Sequence, residues 1–300
     1  MRTEILNNYK SVRGGIGYFE QKRGLIEVSG KEAVQFLNGM ITNDVAQFEN
    51  NAQMSAAFPN AQGRLMAAVR VIKRGDKFLF ETEEATHETI FNNLFRFTYA
   101  GDFFVEDLSD NYRYFEISNS GFQIPDSDYI KFQSNAGTNV FVPNDSAEDF
   151  INKLKEQNAV EISDELYEIL RIENGIPKYG VDMDETTIVP EIGLTEAISY
   201  NKGCYIGQEI IARIHFRGHI AKQLTGLIFE DDDAKIQPND ELKSAEEKNA
   251  GRITSVTFSP KLEKLIALAF VRYDFLKEGT ELKVNGFTAK VKDLPFVEKV

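Results

Sequence analysis

The chain has a single cysteine, Cys204, and no tryptophan among its 300 residues. One cysteine excludes an intrachain disulfide and any multi-cysteine cradle for zinc or an iron–sulfur cluster. No run reaches the ~18 consecutive apolar residues of a membrane-spanning helix. The opening stretch MRTEILNNYKSVRGG has no apolar secretory core, which sets the expectation of a cytoplasmic protein. Basic residues are also short, 34 against 47 acidic, for a formal charge of -13. Such a surface repels phosphate backbones, so direct tRNA or other nucleic-acid binding is disfavoured outside a local patch. Arg213, Arg217 and Lys222 are the local candidates.

Several catalytic patterns are missing too. No glycine-rich run ends in Gly-Lys-Ser/Thr, and Gly14, Gly15 and Gly17 open no dinucleotide fingerprint. No Gly-x-Ser-x-Gly elbow occurs, so ATPase, Rossmann dehydrogenase and serine hydrolase readings have no support. His215 and His219 stand four apart, but Gly218 lies between them and the internal glutamate of a zinc hydrolase is missing. No stably bound metal is expected.

What is present is an ordinary globular composition, 42% hydrophobic and 27% charged, with 23 phenylalanines to fill a core. Short strand patterns at 16–28, 52–58, 64–72, 102–106, 112–117 and 129–133 are interrupted by isolated helical patterns. The helices are expected near 29–39, ending at Gly39, and near 83–95, 146–155 and 163–172. Ser29, Ser146 and Ser163 are the candidate caps. This mixture predicts an α+β fold, not the regular alternation of a doubly wound sheet. From residue 223 short strands dominate, and Asn285–Gly286 is a sharp hairpin signal. The expected division is an α+β body over 1–222, of two interleaved subdomains, and an antiparallel β-barrel domain over 223–300.

Chemistry concentrates in NKGCYIGQEIIARIHFRG, residues 201–218. Lys202 offers positive charge beside Cys204, and a following helix would aim amide dipoles toward a thiolate. Residues 208–216 fit either a helix or a strand, and a lone cysteine is as readily a packed residue as a working thiol. Two other segments stand out. Thr42, Asn43 and Asp44 form a polar cluster that reads as a ligand-facing turn or, more simply, as an Asx turn satisfying its own backbone. Residues 171–194 form a long irregular segment rich in carboxylates.

KGCYIGQE, residues 202–209, resembles the signature of the YgfZ family of folate-dependent iron–sulfur cluster assembly proteins. The signature positions are Lys202, Gly203, Cys204, Tyr205, Gly207, Gln208 and Glu209. RIENGIPKYGVDMDETTIVPEIGL resembles a motif region shared with the glycine-cleavage T-protein, and NGMITNDV resembles an early segment of both families. The resemblance implies a ring-like folate-binding body with a central channel and a C-terminal barrel. It implies tetrahydrofolate or a derivative as cofactor, and iron–sulfur assembly proteins or [4Fe–4S] client enzymes as partners. Glu173 matches a pterin-binding carboxylate; Asn43, Asp44 and Arg171 lie in matched motifs; Cys204 would be the functional thiol. The expected job is accessory: assembly, repair or delivery of [4Fe–4S] clusters, supporting tRNA methylthiolation indirectly. Ala67 and Ala68 stand where the T-protein carries paired aspartates, which argues against aminomethyl transfer because a methyl group cannot exchange a proton. Rival readings are a folate-dependent one-carbon transferase or oxidoreductase, and a scaffold with an inert cysteine.

Overall fold

A computed structural model of the chain describes residues 3–118, 122, 124, 129–134 and 136–297. The chain forms two compact units. One takes Met1–Gln21, Arg113–Asp182 and Ala221–Val300; the other takes Lys22–Tyr112 and Met183–Ile220. Elements are numbered along the chain.

The first unit opens with α1 (Thr3–Gly14), whose Ile5, Tyr9 and Val12 recur at helical spacing and are buried. Its sheet follows the order β10 (Val160–Glu161), β1 (Gly17–Gln21), β7 (Tyr112–Ser118), β9 (Gly137–Pro143), β8 (Ile130–Gln133). Strand alternation splits neighbouring residues between two cores. Tyr18 joins Phe115, Val140 and Phe150 of α4 (Asn144–Glu156), while Phe19 joins α1 and α5 (Asp164–Glu173). Ser163 caps α5 as expected, its hydroxyl accepting from the Leu166 amide. Ser146 does not cap α4, which starts two residues earlier after Pro143.

The same unit contains a closed barrel in the order β11 (Lys222–Phe229), β14 (Lys264–Arg272), β13 (Asn249–Ser259), β12 (Glu241–Lys243), β15 (Glu281–Val284), β16 (Phe287–Lys292). Leu227, Ile253, Ala269, Val271 and Leu282 fill it. Leu224, Leu268 and Phe270 alternate to the outside and receive Ile172 of α5. The β15–β16 hairpin turns at Asn285 and Gly286, with φ of 50° and 88°, as the Asn-Gly pair predicts.

The second unit holds a sheet in the order β3 (Gln53–Pro59), β4 (Leu65–Arg74), β5 (Lys77–Glu83), β2 (Arg23–Ser29), β6 (Phe104–Asp107). Its core unites Ile26, Phe58, Ala67, Val69 and Phe80 with Leu37 of α2 (Ala33–Met40) and Ile90 and Leu94 of α3 (Glu84–Phe95). Gly39 does not stop α2; the helix continues to Met40 and ends on Ile41. Ser29 does not cap α2: it ends β2, and Glu32 stands at the N-cap with its carboxylate accepting from the Asp102 amide at 2.7 Å. Residues 208–216, open between helix and strand on sequence grounds, lie in α6 (Gln208–Arg217).

Candidate functional site

The signature segment folds in the second unit, and its residues divide into two groups. Lys202, Tyr205 and Gly207 are built into the fold. The Lys202 ammonium donates to the carbonyls of Ile41 and Asn43 at 2.8 and 2.6 Å. It also lies 5.1 Å from the centre of the buried Tyr205 ring. Burial pushes the lysine down to about 8, with Asp44 pulling the other way. Gly207 precedes α6 with φ of 78°, and a Cβ there would meet the Asn60 carbonyl at 2.4 Å, so only glycine fits.

Gly203 and Cys204 belong to the other group. A Cβ on Gly203 would touch nothing within 4 Å, and Cys204 is exposed. The Lys202 charge expected beside the thiol is directed at backbone carbonyls. Gln208 opens α6 and donates weakly to the Gly203 carbonyl at 3.4 Å, while Glu209 pairs with Arg213 at 2.8 Å across one helical turn. His215 stacks on Tyr200 with ring centres 3.6 Å apart, and Phe216 stands edge-on to the same ring. The His219 Nδ1 lies 3.0 Å from the Ile220 carbonyl. Among the described residues no cluster of His, Cys, Asp and Glu has the makings of a metal site.

The Thr42–Asp44 turn lies beneath this segment. Thr42 donates to the Ala197 carbonyl at 2.6 Å and accepts from the Ala57 amide at 2.9 Å. Asn43 donates to the carbonyls of Ser55 and Glu196, and its own side-chain oxygen accepts from the Asp44 amide. Asp44 takes Asn38 and the Ala46 amide on Oδ1, at 2.9 and 2.8 Å. That is the self-satisfied turn, with Asp44 Oδ2 left over as a half-buried acceptor.

Glu173 and Arg171 belong to the first unit. Glu173 is fully buried, and its carboxylate accepts from Tyr9, Arg13 and Ser259; the Tyr9 hydroxyl is 2.9 Å from both oxygens. Burial and the neighbouring carboxylate push the Tyr9 phenol up, keeping it a donor. Burial alone would lower the Arg13 guanidinium, yet Glu173 and Tyr9 raise it. Arg171 is likewise buried and donates to Asp182 at 2.7 Å, the Ile176 carbonyl at 2.6 Å, Ser255 at 3.0 Å and Glu168 at 2.9 Å. Asp182 completes the clasp by accepting from Thr254 and Ser255, both at 2.6 Å. The motif thus fastens α5 and the loop behind it to β13. Tyr9 and Arg13, one helical turn apart, could have been noticed in sequence; Ser259, Thr254 and Ser255 carried no signal.

These positions bear on folate. Glu173 and Arg171 offer no unused group to a pterin, Asn43 uses its amide internally, and only Asp44 Oδ2 is available. The four residues do not fit as a set of direct folate contacts. Strand β4 carries both Ala67 and Ala68. Ala67 is in the core while Ala68 is on the opposite, half-buried face, beside Ala57 of β3. Alternation along the strand thus separates the two side chains.

The GCVT N-terminal domain matches residues 1–119, and the glycine cleavage T-protein C-terminal barrel domain matches residues 222–298. An aminomethyltransferase of Thermotoga maritima is 27% identical, the alignment covering 99% of this chain and 89% of that protein. An iron-sulfur cluster assembly factor IBA57 homolog, mitochondrial, from Mycosarcoma maydis is 24% identical over 69% of this chain and 55% of its own length. The chain thus spans little more than half of that relative. The crystal structure of the glycine cleavage system aminomethyltransferase T from Bartonella henselae superimposes with a TM-score of 0.88 at 20% identity. That match covers 98% of this chain and 90% of the other. The chain has the T-protein fold, and the two domain matches support membership of the T-protein superfamily.

Proposed function

We propose that this protein is a YgfZ-type accessory factor for assembly, repair or delivery of [4Fe–4S] clusters. The observation that carries the reading is the division within KGCYIGQE: Lys202, Tyr205 and Gly207 serve the fold, whereas Gly203 and Cys204 are left bare on the surface. A glycine next to an exposed thiol, with no steric need for glycine, suits close approach by another molecule. The likeness to a protein named as an iron-sulfur cluster assembly factor points the same way. One thiolate cannot hold a cubane cluster by itself, so the contact is transient or shared with a partner. A link to tRNA methylthiolation runs through the [4Fe–4S] enzyme that performs it, since the -13 charge disfavours tRNA contact.

Tetrahydrofolate or a derivative is the cofactor in this reading. Glu173 and Arg171 serve it by holding α5 and the barrel in place, and Asp44 is the contact candidate. Calorimetry with tetrahydrofolate on wild type and Asp44→Asn tests this; no heat of binding in wild type removes the folate part. The cluster reading is tested in cells lacking the protein, by restoring wild type or Cys204→Ala at equal abundance and assaying a [4Fe–4S] enzyme such as aconitase. Rescue by wild type alone supports it, and rescue by both reduces Cys204 to an inert residue on a scaffold. A one-carbon transferase or oxidoreductase is the second reading, favoured by full-length likeness to aminomethyltransferases. Product formation from a methylene- or formyl-folate would establish it.

A further inference from the structure

We propose a binding site for a phosphorylated small molecule on the outer face of the C-terminal barrel. Strand register assembles it. Lys222 of β11 is paired with Arg272 of β14, Arg252 of β13 with Phe270 of β14, and Glu241 of β12 with Arg252. Ile253 and Val271 point into the barrel, so alternation turns Arg252, Phe270 and Arg272 outward on one face. Lys222 lies over the Phe270 ring, 4.5 Å from its centre. Together with Asn239 and Glu241 these side chains surround a concavity of about 530 Å³. That volume falls within the range of small-molecule pockets, roughly 300–1,000 Å³.

Some barrel cations are paired and others, such as Lys261 and Lys283, form no ion pair among the described residues; what sets this face apart is that two guanidinium groups line one hollow. Lys243, Lys248, Lys264, Lys290 and Lys292 each form an ion pair with a nearby carboxylate. Arg252 and Arg272 form none among the described residues; Arg252 reaches only the Asn239 side-chain oxygen, at 3.5 Å. In a chain of charge -13, two guanidinium groups converging on one hollow without carboxylate partners call for an external anion. The planar fork of each matches two phosphate oxygens, and Lys222 adds a third positive charge. Glu241, directly across from Arg252, would repel a bare anion but would accept from an O–H or N–H on the same ligand. The ligand class is therefore a phosphate ester with hydrogen-bond donors, of nucleotide size or smaller.

Calorimetry on the full chain at low salt, with pyrophosphate, ADP and citrate as probes, tests the site. Pyrophosphate and ADP are expected to bind, with ADP tighter, and Arg252→Ala/Arg272→Ala is expected to weaken both at least tenfold. Arg213→Ala, which removes a basic residue already paired with Glu209, should change neither. Glu241→Gln should strengthen pyrophosphate binding and reduce the advantage of ADP. Should the alanine pair unfold the barrel, Arg252→Lys/Arg272→Lys keeps the charge but loses the fork, and it too must weaken binding. Absence of binding to any probe, undiminished binding in the double variants, or tighter binding of citrate than of pyrophosphate would overturn the assignment.

Discussion

Replacing Arg13 with alanine isolates the interaction that holds α1 against α5. The Glu173 carboxylate has no exposure, whereas the Arg13 side chain keeps 21% of its surface. Losing one partner of a buried pair costs about 3–5 kcal/mol, because the remaining charge is left without compensation. Tyr9 and Ser259 still donate to Glu173 in the variant, so the lower end, about 3 kcal/mol, is expected. With a urea dependence of about 3 kcal/mol per molar, the unfolding midpoint of the first unit should fall by about 1 M. Urea titrations followed by circular dichroism would read it. Tyr9→Phe should cost less, about 1.5 kcal/mol, because a neutral donor is lost from a charged acceptor while the ion pair survives. A loss below about 1 kcal/mol for Arg13→Ala would refute the reasoning; Glu173 would then be free of Arg13 in solution and available to a ligand after all.

Three further outcomes follow from the second unit. Gly207→Ala should destabilise by about 2 kcal/mol or more, from a positive φ and a Cβ 2.4 Å from the Asn60 carbonyl, whereas Gly203→Ala should leave the melting temperature unchanged. If Gly203→Ala nonetheless fails to rescue [4Fe–4S] enzyme activity in cells, the defect lies in an encounter and not in folding. Lys202, lowered from 10.5 to about 8, binds its proton less well folded than unfolded, so its cost is complete below pH 8 and is relieved as pH rises toward 10.5. Wild type should accordingly gain about 2 kcal/mol relative to Lys202→Met between pH 7.5 and 9.5; a constant gap would mean that the carbonyls of Ile41 and Asn43 compensate the ammonium fully. Cys204 should react with a bulky disulfide reagent in the native protein without denaturant, because it is exposed; protection until unfolding would remove the encounter surface on which the proposed function rests.

Much of the architecture was legible in the chain because it rests on local rules. Alternating apolar residues marked β4, the spacing of Ile90 and Leu94 marked α3, Ser163 announced α5, and Asn285–Gly286 marked the last hairpin. The α+β class and the barrel-like end follow from those elements. Cys204 and its signature were likewise visible, since they are contiguous. What stayed hidden depends on distant pairing. Residues 208–216 take the helical alternative in the folded unit, where Ile211 is buried, and α2 runs one residue past Gly39. The roles of Glu173 and Arg171 changed most. From sequence they were expected at a folate site; in the folded unit Tyr9 and Ser259 arrive from 164 and 86 positions away and take up the Glu173 carboxylate. Residue type and local order therefore determined which elements form and which chemistry is present. Only tertiary structure decided which polar groups are satisfied by the protein itself and which, like Cys204 and Arg272, are left exposed, because a buried charge takes its partners from whatever part of the chain the fold brings beside it.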